Sequence, residues 1–273
     1  MSKTLFIASL LAVPAFSAIA HAESSTAPEM QTTAFEALDA DFAKWMAEAH
    51  VPGLVWGIVK DGKLVHVRAM GVQTVADKAP VTPDTAFRIA SMTKAFTGYS
   101  ILKLRDEGRL RLDDPVSKYV PETQGWAKGI TVGDLLHHTA GFVTDDPWGD
   151  RQQPLRETEF TKMLKAGVPF STSPGTRYEY SNFGYATLGR IITNVSKQDY
   201  AERVEATVLK PLDMASTRYE VRDVPPGKLA MGYRWENDAW SPEPVMPHGA
   251  FGAMGGLVTT GKDYAKWIGY LLS

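Results

Sequence analysis

The pattern of hydrophobic and polar positions predicts that the chain opens with a helix followed by a β-hairpin. From Phe35 to His50, apolar residues recur every three or four positions, which is the period of an amphipathic helix, and Pro52 ends it. The segments Gly53 to Lys60 and Lys63 to Gly71 are both rich in β-forming residues. Between them, Asp61-Gly62 is a residue pair typical of a two-residue hairpin turn.

The rest of the chain is predicted to be mostly helical, with one further hairpin around Glu236-Asn237-Asp238. Helical spacing and capping residues predict helices over Ser91–Glu107, Thr131–Leu136, Glu157–Lys165, Phe183–Val195, Gln198–Lys210 and Lys262–Leu272. The first of these carries apolar residues nearly all the way round, which is typical of a buried central helix.

The first residues have the pattern of a secretory signal peptide. Met1-Ser2-Lys3 is a basic start, the run from Leu5 to Ile19 is apolar, and Ala20-His21-Ala22 forms an A-x-A cleavage site. The apolar run is short for a membrane span and is interrupted by Pro14. We therefore expect residues 1–22 to be removed and the protein to be periplasmic or secreted, with no stable membrane span. Glu23 to Thr33 is polar and is expected to be disordered.

The composition of the chain argues against disulfides and against several classes of binding partner. The chain has no cysteine, so an exported protein of this sequence has no disulfides and is stabilised by its core. Its net charge of −2 gives no indication of nucleic acid or of an anionic membrane as a partner.

The adjacent His137 and His138 are not expected to bind a metal. They point about 100° apart on a helix and lack companions at metal-ligand spacing, so hydrogen bonding at a helix end is the expected role.

The candidate nucleophile is Ser91, which stands three residues before Lys94. Positions i and i+3 share a helix face, so a desolvated Lys94 amine could take the proton of the Ser91 hydroxyl. Ser-x-x-Lys is a weak motif, and Ser100-Ile101-Leu102-Lys103 matches it as well. Ser100 lies about 180° away from Ser91 on the same helix, where a serine commonly bonds to the carbonyl four residues earlier.

A second candidate pair is Tyr180 and Asn182. Residues two apart in an extended segment point the same way, so a phenol and an amide would face one site together. The alternative is a tyrosine packed on the core beside a turn-forming asparagine, and the residues alone leave both interpretations open.

Five stretches taken together resemble the serine β-lactamase and penicillin-binding-protein superfamily. The similarity is greatest to the branch that holds class C β-lactamases, D-alanyl-D-alanine carboxypeptidases and related esterases. The stretches are Pro52-Gly53 before the hairpin, Phe87–Lys94, Leu135–Gly141 (Leu-Leu-His-His-Thr-Ala-Gly), Tyr180-Ser181-Asn182 and Gly255–Thr260.

The resemblance implies an exported serine hydrolase that acts through an acyl-Ser91 intermediate. Lys94 and Tyr180 would share the proton transfers, with the identity of the base left open, and Asn182 would orient the substrate amide or the lysine. The substrate would be a β-lactam, a D-Ala-D-Ala peptide or a small ester, chosen by loops such as residues 142–151. No cofactor or metal is implied. The alternative is a non-catalytic relative, such as a penicillin-binding sensor.

The implied fold is of the mixed α+β class, an antiparallel sheet flanked by helices with a helical subdomain, formed by residues 23–273. The family's third motif, Lys-Thr/Ser-Gly or His-x-Gly, is not found after the last predicted helix, so we expect a chain truncated at its C-terminus that lacks the last strands. Because one oxyanion donor typically contributes about 10²- to 10³-fold in rate, we expect this length alone to be weakly folded and poorly active.

Overall fold

A computed structural model describes residues 26–145 and 150–273 of the protein. The expected signal peptide, residues 1–22, and residues 146–149 of the expected selectivity loop lie outside the described residues. The described part alternates helices with short antiparallel strand pairs. Its helices are α1 (Thr26–Glu48), α2 (Lys94–Asp106), α3 (Val116–Tyr119), α4 (Val132–Leu136), α5 (Glu157–Ala166), α6 (Asn182–Ser196), α7 (Tyr200–Val204), α8 (Gly252–Gly255) and α9 (Gly261–Leu271).

The strands form three antiparallel pairs among the described residues. The pairs are β1 (Gly53–Lys60) with β2 (Lys63–Gly71), β3 (Ala86–Arg88) with β6 (Val258–Thr260), and β4 (Tyr233–Glu236) with β5 (Ala239–Pro242). The fold is thus of the expected mixed α+β class, and both predicted hairpins are present.

Helix α1 corrects one expectation, because it begins at Thr26 inside the segment expected to be disordered. Its later turns are fixed by packing, with the Phe42 ring 4.8 Å from the Trp56 ring of β1. Once these turns have formed, each further helical residue costs little free energy, because each added residue forms one hydrogen bond. Polar composition therefore did not prevent the helix from extending toward the N-terminus.

The hairpin of β1 and β2 has the predicted two-residue turn, with a register shift between Ile58 and Val59, and lies between two helices. Lys60 pairs with Lys63, and both turn residues have left-handed backbone angles, with φ of 50° at Asp61 and 74° at Gly62. Helix α1 covers one side and α9 the other, where a Cβ on Gly269 would stand 2.6 Å from the Gly62 carbonyl oxygen. Glycine on α9 thus permits a contact that any larger residue would prevent.

The segment predicted as one helix, Ser91–Glu107, lies in the core but is less completely buried than its sequence predicts. Phe96 is fully buried and stacks on Trp267 of α9 with ring centroids 4.4 Å apart. Met92, by contrast, is 48% exposed, because it precedes α2 in a 3₁₀ turn at the molecular surface. The Ser100 hydroxyl is buried and donates to the Phe96 carbonyl at 2.8 Å, which is the role predicted for it.

The glycine-rich stretch before β6, residues 248–257, is hydrogen-bonded to the turn that carries Ser91. Backbone N–H of Ile89 donates to the Leu257 carbonyl at 3.1 Å, and N–H of Leu257 donates to the Thr93 hydroxyl at 3.1 Å. These two bonds bracket Ser91 and hold α8 against the start of α2. Among the described residues, no helix has both the length and the apolar character needed to cross a membrane.

Candidate active site

Ser91 lies on a strained turn rather than on the regular helix expected from the sequence. Residues Ala90–Thr93 form a 3₁₀ turn, and α2 begins at Lys94. Ala90 has a φ of 43°, a left-handed conformation that is costly for a residue with a Cβ. Such strain is retained where the surroundings over-determine it, and here it presents the Ser91 side chain at the surface of the site.

Lys94 is the centre of the site. Its side chain is 8% exposed, and its Nζ donates to Ser91 Oγ at 3.0 Å, to Asn182 Oδ1 at 2.8 Å and to the Met254 carbonyl at 2.8 Å. An ammonium has three N–H donors, so these acceptors match its full hydrogen-bonding capacity. The arrangement accommodates a charged lysine in a largely buried position.

Tyr180 completes the contacts of the serine hydroxyl. Its phenol oxygen lies 2.6 Å from Ser91 Oγ, and its ring centroid lies 4.8 Å from Lys94 Nζ. The structure therefore brings together all four residues that the sequence suggested, and Tyr180 and Asn182 face one site as their spacing predicted. Ser181, between them, points away and caps α6 by accepting from Gly184 N–H at 3.0 Å.

His138 supports the tyrosine from behind, which agrees with its expected hydrogen-bonding role. Its ring stacks on Tyr180 with centroids 4.7 Å apart, and its Nδ1 accepts from Ser181 N–H at 3.0 Å. Burial, together with the positive charge of Lys94, lowers the pKa of His138 to about 4. The imidazole is therefore neutral near pH 7, with Nδ1 as acceptor. No cluster of metal-ligating side chains is found among the residues the structure describes.

Asp145 is a site residue that the sequence did not reveal. Its carboxylate accepts from Asn182 N–H at 2.6 Å and from Phe183 N–H at 2.7 Å, at the first turn of α6. In the sequence it is one of several aspartates in a turn-rich loop, and nothing local distinguishes it from a solvated turn residue. Its partners are 37 and 38 positions away, beyond the range of any sequence period.

The sequence also gave no indication of two further groups at the site, the Gln153 side chain and the Met254 carbonyl. With its amide oriented to satisfy its neighbours, the Gln153 carbonyl accepts from Gly256 N–H at 3.1 Å and from Arg88 Nη2 at 2.9 Å. This side chain ties the glycine-rich stretch to the strand that leads into Ser91. A glutamine far from every motif gives no signal in the sequence, and a backbone carbonyl gives none in principle.

Chemically, the arrangement is that of an activated hydroxyl. Ser91 Oγ has an ammonium and a phenol within hydrogen-bonding distance. Asn182 in turn accepts from the ammonium, His138 stacks on the phenol ring, and Asp145 accepts from the Asn182 backbone. A serine flanked by groups that can take and return its proton is suited to nucleophilic attack.

Comparison with known proteins agrees with the fold. The Beta-lactamase family model matches residues 38–273. Protein flp of Staphylococcus aureus (strain COL) is 35% identical over 238 residues, which cover 84% of this chain and 47% of that protein. Beta-lactamase-like protein 2 of Dictyostelium discoideum is 28% identical over 257 residues, covering 88% and 46%. The chain thus spans about half the length of the curated relatives it matches.

Solved structures give the same result. The octameric penicillin-binding protein homologue from Pyrococcus abyssi superimposes with a TM-score of 0.76 at 31% identity, covering 86% of this chain and 55% of that one. The D-alanine carboxypeptidase AmpC from Burkholderia cenocepacia gives 0.71 at 29% identity, covering 84% and 61%. With a family model that extends over most of its length and neighbours that share its fold, this chain belongs to the Beta-lactamase family.

Proposed function

We propose that this protein is a serine hydrolase that acts through an acyl-Ser91 intermediate. The observation that carries the proposal is the position of Ser91 Oγ, 3.0 Å from Lys94 Nζ and 2.6 Å from the Tyr180 hydroxyl. A serine that only caps a helix needs neither partner. Similarity in fold and sequence to structures named as a D-alanine carboxypeptidase and a class C β-lactamase supports the same conclusion.

In the acylation step, Ser91 Oγ attacks a carbonyl carbon while its proton passes to Tyr180, which reacts as the phenolate. Lys94 donates all three of its N–H groups in this geometry, so it acts as a cation that stabilises negative charge on the phenol oxygen. Collapse of the tetrahedral intermediate breaks the bond to the amine or alcohol leaving group, which takes the proton from Tyr180. The acyl group is then bonded to Ser91.

Hydrolysis reverses these proton movements with water in place of the leaving group. A water molecule loses its proton to the Tyr180 phenolate as its oxygen attacks the acyl carbon. The Ser91 Oγ–carbon bond then breaks, and the serine oxygen takes that proton back from Tyr180. Asn182, whose Oδ1 holds Lys94 at 2.8 Å, keeps the lysine in place through both steps.

The substrate class we propose is a β-lactam, a D-Ala-D-Ala peptide or a small ester. We also propose that residues 23–273 act as one hydrolase domain after export to the periplasm or medium and removal of residues 1–22. The basic start, the apolar run and the A-x-A site of the sequence support export. Recovery of the extracytoplasmic protein with Glu23 as its first residue is the expected result, and retention of Met1 would contradict it.

Covalent labelling tests the proposal directly. The purified chain is incubated with a fluorescent penicillin and, separately, with a fluorophosphonate, and the labelled peptide is identified by mass spectrometry. We expect the label on Ser91, none on a Ser91→Ala variant, and undiminished labelling of Ser100→Ala, the matched control from the other Ser-x-x-Lys sequence. Absence of label on the wild-type protein would refute the proposal.

Turnover separates the enzyme from its non-catalytic alternative. Nitrocefin, a p-nitrophenyl ester and a D-Ala-D-Ala peptide are compared side by side at equal enzyme concentration. Product formed in excess over enzyme with one of them identifies the substrate class. Stoichiometric labelling without turnover on any of the three would instead identify a penicillin-binding or sensor protein.

A further inference from the structure

A buried carboxylate lies at the start of α6, against the backbone of Asn182. Asp145 is 1% exposed, and each of its two carboxylate oxygens accepts one backbone N–H, from Asn182 at 2.6 Å and from Phe183 at 2.7 Å. These are charge-assisted hydrogen bonds, which are shorter and stronger than neutral ones.

The carboxylate complements the cap of the helix. The first N–H groups of a helix have no partner within it, and Ser181 accepts only the N–H of Gly184. Asp145 takes the two N–H groups that precede it, so the first turn of a 15-residue helix is held from outside the helix. The negative charge also lies at the positive end of the helix dipole, where it is favoured.

Two opposing effects act on the charge of Asp145. The pKa of its carboxyl group lies above the ordinary value because of burial, and the two backbone N–H groups and the Lys94 ammonium oppose that rise. Lys94 is also the residue that donates to the Asn182 side chain at 2.8 Å. Asp145 therefore acts on the backbone of the same residue whose side chain holds the lysine.

We propose that Asp145 is a positioning residue for acylation of Ser91. By fixing the Asn182 backbone, it fixes Asn182 Oδ1 against Lys94 Nζ, and through Lys94 the proton path from Ser91. This inference rests on the proposed function. A displacement of about 1 Å in a catalytic group can cost about 10²-fold in rate, so a small shift of the helix start is sufficient.

A carboxylate that only caps a helix would affect stability and not the rate of acylation, and the chain contains a matched example. Asp263 is also buried at the start of a helix, α9, and its Oδ2 accepts from Ser216 N–H at 2.7 Å and from the Thr217 hydroxyl at 3.0 Å. It has no contact with Ser91, Lys94 or Tyr180 among its hydrogen bonds and ion pairs. Loss of its charge should affect stability alone.

The experiment compares wild type, Asp145→Asn and Asp263→Asn by the time course of labelling with a fluorophosphonate and by the burst of p-nitrophenol from a small ester. The asparagine is isosteric, but its single carbonyl can accept from only one of the two N–H groups. We expect Asp145→Asn to lower the first-order rate constant at saturation about 10- to 100-fold. The labelled fraction and the half-saturating concentration of this variant should stay within about twofold of the wild-type values. A residue with a structural role alone does not lower the rate constant while leaving these two quantities unchanged. Asp263→Asn should lower Tm and leave the rate constant unchanged.

A rate constant for Asp145→Asn within twofold of wild type, or a loss confined to the labelled fraction, overturns this proposal. If the asparagine variant does not fold, Asp145→Ser is compared in the same way, because its hydroxyl can accept one N–H and carries no charge. Failure of wild type itself to label overturns the proposed function, and this inference with it, which distinguishes the two results.

Discussion

Neutral burial of His138 predicts that the protein loses stability as the pH falls from about 6.5 to about 4. The pKa of His138 is lowered to about 4 in the folded state, first by burial and then by the charge of Lys94, from an ordinary value of 6.5. Between these two values the unfolded chain binds a proton that the folded protein does not. The sign is therefore a free energy of unfolding that decreases with decreasing pH through this window and is constant below it.

The size of the effect follows from the shift. One pKa unit corresponds to about 1.4 kcal/mol, so the full shift corresponds to about 3.4 kcal/mol, of which about 2 kcal/mol falls between pH 7.5 and pH 5. The His138 side chain is partly exposed, and solvent screening reduces such contributions. We therefore expect about 1 kcal/mol over this interval.

The variant His138→Asn removes the titration with little other change. Asparagine tolerates the left-handed backbone at this position, where φ is 57°, and its carbonyl can replace Nδ1 as the acceptor for Ser181 N–H. Loss of the ring stack on Tyr180 lowers stability equally at both pH values, so the difference between the pH values isolates the proton.

Urea denaturation at pH 7.5 and pH 5 measures the effect in wild type, His138→Asn and His137→Asn, the exposed neighbour. We expect wild type and His137→Asn to lose about 1 kcal/mol more than His138→Asn on acidification. Equal losses in wild type and His138→Asn would refute the reasoning, since the imidazole would then titrate alike in the folded and unfolded states.

Three further predictions concern the proton transfer at Tyr180 and the packing around the site and in the core. Tyr180→Phe keeps the ring and removes the hydroxyl, so the labelling rate should fall about 10²- to 10⁴-fold with Tm unchanged, and a wild-type rate would exclude the proton-transfer role. Gly256→Ala places a Cβ 2.8 Å from His248 Cβ and should cost about 1 to 3 kcal/mol in urea denaturation, whereas Gly125→Ala, with no atom within 4 Å, should be neutral. Phe96→Ala should cost about 3 to 5 kcal/mol by the same assay, and a loss below 1 kcal/mol would contradict its place in the core.

Local geometry explains which parts of the site were predictable. Ser91 and Lys94 are three residues apart on one helical turn, and Tyr180 and Asn182 are two apart in an extended segment, so covalent geometry sets the direction of each pair. The hairpin turn at Asp61-Gly62 was predictable for the same reason. In each case the interacting atoms are a few residues apart, and a sequence pattern covers that range.

The choice between Ser91 and Ser100 as the nucleophile needed both the sequence pattern and the tertiary structure. Helical periodicity puts the two on opposite faces, but only burial decides which face meets the site. Ser100 is buried and bonded to the Phe96 carbonyl, whereas Ser91 is exposed and bonded to Tyr180 from a distant segment. The start of α1 was mispredicted because packing on the hairpin outweighs the weak helix propensity of polar residues.

By itself, the sequence determined the two hairpins, the longer helices, the two residue pairs and, through their order, the family, whereas the pairing of β3 with β6 was not predicted. Only the tertiary structure decided that the two pairs meet, with the Ser91 and Tyr180 hydroxyls 89 positions apart in the chain and 2.6 Å apart in space. It also decided that the Met254 carbonyl, His138 and Asp145 hold them there. The reason is physical: contacts between distant segments depend on how whole elements pack, and neither a backbone carbonyl nor a loop carboxylate leaves a periodic trace in the sequence.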